Sequence, residues 1–88
     1  MEIALSEQAE EHIAYWKEKN NEAIQKRIIA LKDAIIVSSF TGIGKPEPLK
    51  HELAGKWSRR IDRKNRFIYS VEDDTLLIFS LKGHYYKY

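Results

Sequence analysis

Glu47 stands between Pro46 and Pro48, and Lys50, Arg59, Arg60 and Arg66 follow it, with His84, Tyr85 and Tyr86 near the end of the chain. A carboxylate can accept a proton, and an imidazole can donate one near neutral pH. Guanidinium and ammonium groups bind phosphate oxygens. Together these groups could cut a phosphodiester by acid–base chemistry without metal. Proline fixes its own φ and holds the preceding residue extended, so Glu47 sits on a stiffened backbone that is cheap to aim. Taken singly, each residue reads as an ordinary solvated group. Only the combination carries chemistry.

Strand geometry separates the cations. Successive side chains on a strand point to opposite faces, so Trp57, Arg59 and Ile61 share one face and Ser58 and Arg60 the other. If Trp57 and Ile61 are core, Arg60 lies on the open face. Arg60, Arg66 and Lys50 converging there would make a phosphate site, whereas a solvated arginine is the default for any one of them. Tyr85, Tyr86 and Tyr88 around His84 could stack bases beside such a surface. His12 and His51 are weaker candidates. With no cysteine and no paired-histidine spacing, nothing points to a metal or other cofactor.

Eighty-eight residues suit one domain spanning 1–88, and 43% hydrophobic with 32% charged residues is a globular composition. The net charge is only +2 but unevenly spread. Residues 45–66 hold eight Lys or Arg against Glu47, Glu52 and Asp62, whereas residues 2–11 hold four acids and no base. The basic half suits a polyanion. The lack of cysteine fits a reducing compartment, and no apolar run is long enough to span a membrane. The expected location is the cytoplasm, with no membrane contact.

The elements that must position these groups are legible from period and punctuation. Residues 2–5 read as a strand. Ser6 is a good N-cap for a helix over 7–19, and Asn20-Asn21 breaks it and can cap a second helix over 21–37. In that second helix Ile24, Ile28, Leu31 and Ile35 recur at spacings of four, three and four. Residues 38–48 read as a loop. Strand segments are expected over 49–53, 56–61, 66–71 and 75–81, with 66–71 half-buried and 75–81 covered on both faces. The whole is α+β: an N-terminal strand and a helical hairpin packed on a small antiparallel sheet.

The stretch Gly-Lys-Pro-Glu-Pro-Leu-Lys-His-Glu-Leu-Ala-Gly-Lys-Trp-Ser-Arg-Arg-Ile (44–61) resembles the YoeB/Txe toxins of the RelE superfamily. So do Arg66 with Tyr69, the run 73–78, and His84-Tyr85. Gly83 stands where an aromatic is common in relatives, and Tyr86-Lys87-Tyr88 extend the chain beyond His84-Tyr85. The resemblance implies a RelE-like fold and a bacterial type II toxin that cleaves mRNA in the ribosomal A site. A YefM/Axe-type antitoxin would neutralise it, and homodimerisation is implied as well. In that pattern Glu47 is the general base on the ribose 2′-OH and His84 the general acid for the leaving 5′-oxygen. Arg66 stabilises the phosphorane, Arg60 and Lys50 grip phosphates, and Tyr85 orients the scissile nucleotide. Two other classes compete: a ParE-like toxin that inhibits gyrase by binding, and a non-catalytic nucleic-acid-binding module.

Overall fold

The computed structural model describes residues 1–84. β1 (Glu2–Leu5) leads through Ser6 into α1 (Glu7–Glu18), and Asn20-Asn21 turns the chain into α2 (Glu22–Val37). β2 (Glu47–Pro48), a 3-10 turn (His51–Leu53), β3 (Trp57–Arg60), β4 (Arg66–Glu72) and β5 (Thr75–Ser80) follow. Both expected caps form: Ser6 Oγ accepts the Ala9 N–H at 3.0 Å, and Asn21 Oδ1 the Ile24 N–H at 3.1 Å. Ser6 Oγ also donates to the Phe79 carbonyl at 2.9 Å, so the first cap is tied to the sheet.

The strands lie in the order β1-β5-β4-β3-β2. Pairing is antiparallel from β2 through β5, and β1 adds in parallel along β5, which makes the sheet mixed. Ala9, Trp16, Leu31 and Ile35 of the helices pack with Phe67, Tyr69, Leu76 and Ile78 of the sheet. Leu31 and Ile35 are fully buried as the helical stripe requires, and Ile28 is half-buried at its margin. No helix among the described residues is long and apolar enough to cross a membrane.

Three expectations need correction. The loop expected over 38–48 ends in the sheet, where Glu47 and Pro48 pair with Ser58 and Trp57. Residues 49–53 do not form a strand. Only Leu49 extends the ladder, donating its N–H to the Lys56 carbonyl at 2.9 Å. His51 then takes φ +56°, and Leu53 and Ala54 bond back to Lys50 and His51 as a 3-10 turn. The burial of the last two strands is also exchanged. β4 lies mid-sheet and is buried on both faces from Arg66 to Ser70. β5 alternates, with Leu76, Ile78 and Ser80 inward and its other side half-covered. Position in the sheet outweighs strand composition.

Arg59 is fully buried on the core face instead of solvated. Its Nε donates to the Tyr69 hydroxyl at 3.2 Å and Nη1 to the Ile43 carbonyl at 3.1 Å. Nη2 donates to Ser38 and Thr41 carbonyls at 2.7 and 2.9 Å. Tyr69 in turn donates to the Ser39 carbonyl at 2.7 Å. Burial pushes the Tyr69 phenol above its ordinary value, and the neighbouring Arg59 only partly opposes this. The loop 38–44 thus closes around one guanidinium. Gly44, at φ +84°, packs where a Cβ would meet Leu31 Cδ2 at 2.8 Å, and its carbonyl accepts the Arg60 N–H at 2.7 Å.

Replacing Arg59 by leucine strips charged hydrogen bonds from three loop carbonyls, some of which water can reach. The expected loss is on the order of 3 kcal/mol, since such bonds contribute about 1.5–3 each before that discount. Tyr69→Phe removes the neutral bond to the Ser39 carbonyl and the bond accepted from Arg59 Nε but leaves the three loop-carbonyl bonds of the guanidinium in place, so it should cost about 2 kcal/mol, less than Arg59→Leu. Urea unfolding of both variants measures the order, and equal losses would contradict a clamp centred on the guanidinium.

Candidate active site

The site is built by strand register. Glu47 on β2 pairs with Ser58 on β3, and Ser58 pairs with Ile68 on β4. Two residues further along β3, Arg60 pairs directly with Arg66. A step of two returns side chains to the same face, so Glu47, Arg60 and Arg66 all emerge on the face opposite the helices. Glu47 lies two strand spacings across the sheet and two residues along it from Arg66, roughly 12 Å between backbones, with Arg60 on the strand between. Glu47 and Arg60 are exposed and Arg66 is buried.

His84 arrives by a separate route. Past β5 the chain continues beside the start of β4, where the Arg66 N–H donates to the Gly83 carbonyl at 3.0 Å. The Gly83 N–H donates to Asn65 Oδ1 at 2.9 Å. The half-buried His84 therefore follows directly on the residue bonded to Arg66. Asn65 is itself fixed by Asp62, whose Oδ1 accepts the Lys64 and Asn65 N–H groups at 2.9 and 2.8 Å. Asn65 Nδ2 also donates to both Asp62 oxygens. Sequence reasoning passed over Asn65. Its only signal was an Asp-x-x-Asn turn before Arg66.

Arg66 and Arg59 are both buried but are used differently. Arg59 engages all three of its nitrogens with protein acceptors. Arg66 directs Nη1 alone to the carbonyls of Asp62, Asn65 and Arg63, at 2.7, 3.2 and 3.4 Å. Its Nε and Nη2 have no acceptor among the described residues. The planar guanidinium is thus oriented from one side with donors to spare, as a preorganised anion binder requires. Placing Arg66 directly across from Arg60 sets two like charges on neighbouring strands, which destabilises a sheet.

Lys50 is exposed and lies beyond the β2–β3 ladder as the N-cap of the 3-10 turn, so register does not place it in the Glu47–Arg66 array. Tyr85 lies outside the described residues. Among those described, no three potential ligands gather as a metal site.

Solved structures define the fold first. YafQ from Escherichia coli superposes with TM-score 0.78 over 94% of this chain and 92% of that one at 15% identity, which shows a shared α+β fold. The YoeB/ParE toxin from Agrobacterium tumefaciens reaches TM-score 0.91 at 31% identity, covering 97% of this chain and all of the other. The YoeB chain of a YoeB-YefM complex from Staphylococcus aureus gives 0.87 at 41% identity, covering 97% and 98%. In sequence, toxin YoeB of Synechocystis is 45% identical over 99% of this chain and all of its own length. Toxin YoeB of Escherichia coli K12 is 42% identical over 97% of this chain and all of its own. Residues 5–85 match the model of the YoeB-like toxins of bacterial type II toxin–antitoxin systems, and the chain belongs to that family.

The tail that carries His84 is held by α1 through two further bonds. His12 Nδ1 accepts the Leu81 N–H at 3.0 Å, and Trp16 Nε1 donates to the Leu81 carbonyl at 3.0 Å. Burial lowers the His12 pKa, Lys82 lowers it further, and Glu11 opposes them. A depressed folded value means that the unfolded chain binds the proton first, so stability falls as pH drops from about 6.5 through the folded value. His12→Asn keeps an acceptor but cannot titrate. Thermal midpoints across pH 7.5 to 4.5 should show this component in the parent and lose it in the variant. An unchanged profile in His12→Asn would remove His12 as the source.

Proposed function

We infer that this toxin is a ribosome-dependent mRNA endoribonuclease acting in the A site, and that it inhibits translation. The observation that carries the reading is the register itself, which puts Glu47, Arg60 and Arg66 on one open face and leads His84 to Arg66. Glu47 accepts the ribose 2′-OH proton, and the 2′-oxygen attacks the adjacent phosphorus. Negative charge gathers on the phosphorane oxygens, where the donors left on Arg66 are oriented in advance. The bond from phosphorus to the 5′-oxygen breaks as His84 donates its proton to that oxygen. The products are a 2′,3′-cyclic phosphate and a 5′-hydroxyl, with Glu47 protonated and His84 neutral until solvent resets them. Arg60 and Lys50 hold neighbouring phosphates, and Tyr85 orients the scissile nucleotide.

A free basic face of this kind invites an acidic cover. The staphylococcal relatives have been solved as a YoeB-YefM complex and as a YoeB dimer. By analogy, an antitoxin of the YefM/Axe type masks the open face here, and the toxin pairs with itself. A gyrase-binding toxin is the competing reading, since the Agrobacterium relative carries both names.

Single-turnover cleavage of programmed ribosomes tests the mechanism. Glu47→Gln and His84→Gln should each slow cleavage by about 10²–10⁴-fold while still folding and binding antitoxin. Arg66→Lys keeps the charge but loses the planar fork and should cost about 10²–10³-fold. Mapping mRNA 5′ ends in expressing cells locates the cuts. Near-parental rates for both Glu47→Gln and His84→Gln would sink the mechanism and leave the gyrase reading.

A further inference from the structure

We propose that a pocket of about 410 Å³ beside the Arg60–Arg66 pair is a second phosphate subsite, in which Arg27 and Arg63 take the RNA backbone next to the scissile linkage. This rests on the RNA-cleaving reading above. The pocket is lined by Arg27, Arg60, Ile61, Asp62, Arg63 and Arg66. Four arginines, from α2, β3, the 61–65 turn and β4, therefore line one pocket together with a single carboxylate, Asp62. That carboxylate is already engaged, because Asp62 accepts from Lys64, Asn65 and the Asn65 side chain. No arginine of the four forms an ion pair among the described residues. The protein holds two of them with neutral dipoles instead: Arg27 Nη2 donates to the Arg60 carbonyl at 3.2 Å, and Arg66 to three carbonyls of the turn.

Such an arrangement is unfavourable until an anion arrives. A cleft in which one sign of charge predominates, here four cations against one carboxylate, focuses its field, and guanidinium forks match phosphate oxygens in pairs. The placement sets the direction of the strand. Along β3 the order runs from Ser58, opposite Glu47, to Arg60 and then into the turn that carries Arg63. A backbone crossing Glu47 and Arg66 therefore continues into this pocket, on the side away from Glu47. Arg27 lies off the apolar stripe of α2 and reaches from the helical layer to the end of β3, which explains why a helix residue joins a sheet-face site.

The test measures binding of a 2′-O-methylated single-stranded oligoribonucleotide between 50 and 300 mM salt. The probe cannot be cleaved, so binding is scored whether or not the chain is a nuclease. Each arginine on a phosphate contributes about 0.7 to the slope of log affinity against log salt on a single strand. Arg27→Ala and Arg63→Ala should each lower the slope by that amount and weaken binding about fivefold at 0.1 M salt. Lys17→Ala, on the exposed side of α1, serves as the control for bulk charge and should leave the slope as in the parent. Parental slopes in both arginine variants would overturn the subsite, as would an equal fall in Lys17→Ala. A poly-glutamate peptide that loses affinity in these variants while RNA binding holds would assign the pocket to an acidic protein and also refute it. Slopes that fall as expected in a protein that cuts no RNA would retain the subsite and reject only the nuclease reading.

Discussion

The open face of this toxin depends on a cation buried on the other side of the sheet. Arg59 draws the carbonyls of Ser38, Thr41 and Ile43 inward, and Tyr69 adds Ser39. A fully buried guanidinium is tolerable only when its donors are met, and loop backbone meets them here in place of a carboxylate. Closing the loop in this way brings Gly44 against Arg60, and Glu47 follows three residues later on a proline-stiffened edge strand. The position of the carboxylate on the open face thus traces back to a charge on the closed face.

Neighbouring arginines divide the labour. Arg59 and Arg60 are adjacent in sequence, yet strand alternation sends one to hold the loop and the other to the open face. Arg66 stands between these extremes, buried like Arg59 but anchored by a single nitrogen. The structure accepts like-charge crowding at Arg60, Arg63 and Arg66, where backbone carbonyls of the turn steady Arg66. Stability alone would not favour that crowding. An anionic ligand would relieve it.

The tail shows the same economy of means. Four backbone bonds, to His12, Trp16, Asn65 and Arg66, fix Leu81 and Gly83 just ahead of His84. α1, the turn before β4 and β4 itself all contribute to where His84 sits. Its placement is a property of the packed whole and not of its own segment.

Local chemistry in the sequence determined much of this. Ser6 and Asn21 announced both helix starts because caps act within one turn, and the stripe from Ile24 to Ile35 announced the buried face because helical period is local. The family was legible in residues 44–61, and so were the open face for Arg60 and the framing of Glu47. Tertiary structure decided what depends on neighbours distant in the chain. The parallel seat of β1 on β5, the exchange of burial between β4 and β5, and the 3-10 turn in place of a strand at 51–53 all follow from sheet position and backbone turns that periodicity does not encode. The same holds for Arg59 buried instead of solvated, for Asn65 between Asp62 and Gly83, and for Arg27 at the end of β3. Each joins residues whose proximity exists only once the sheet has paired, so no spacing in the sequence could announce it.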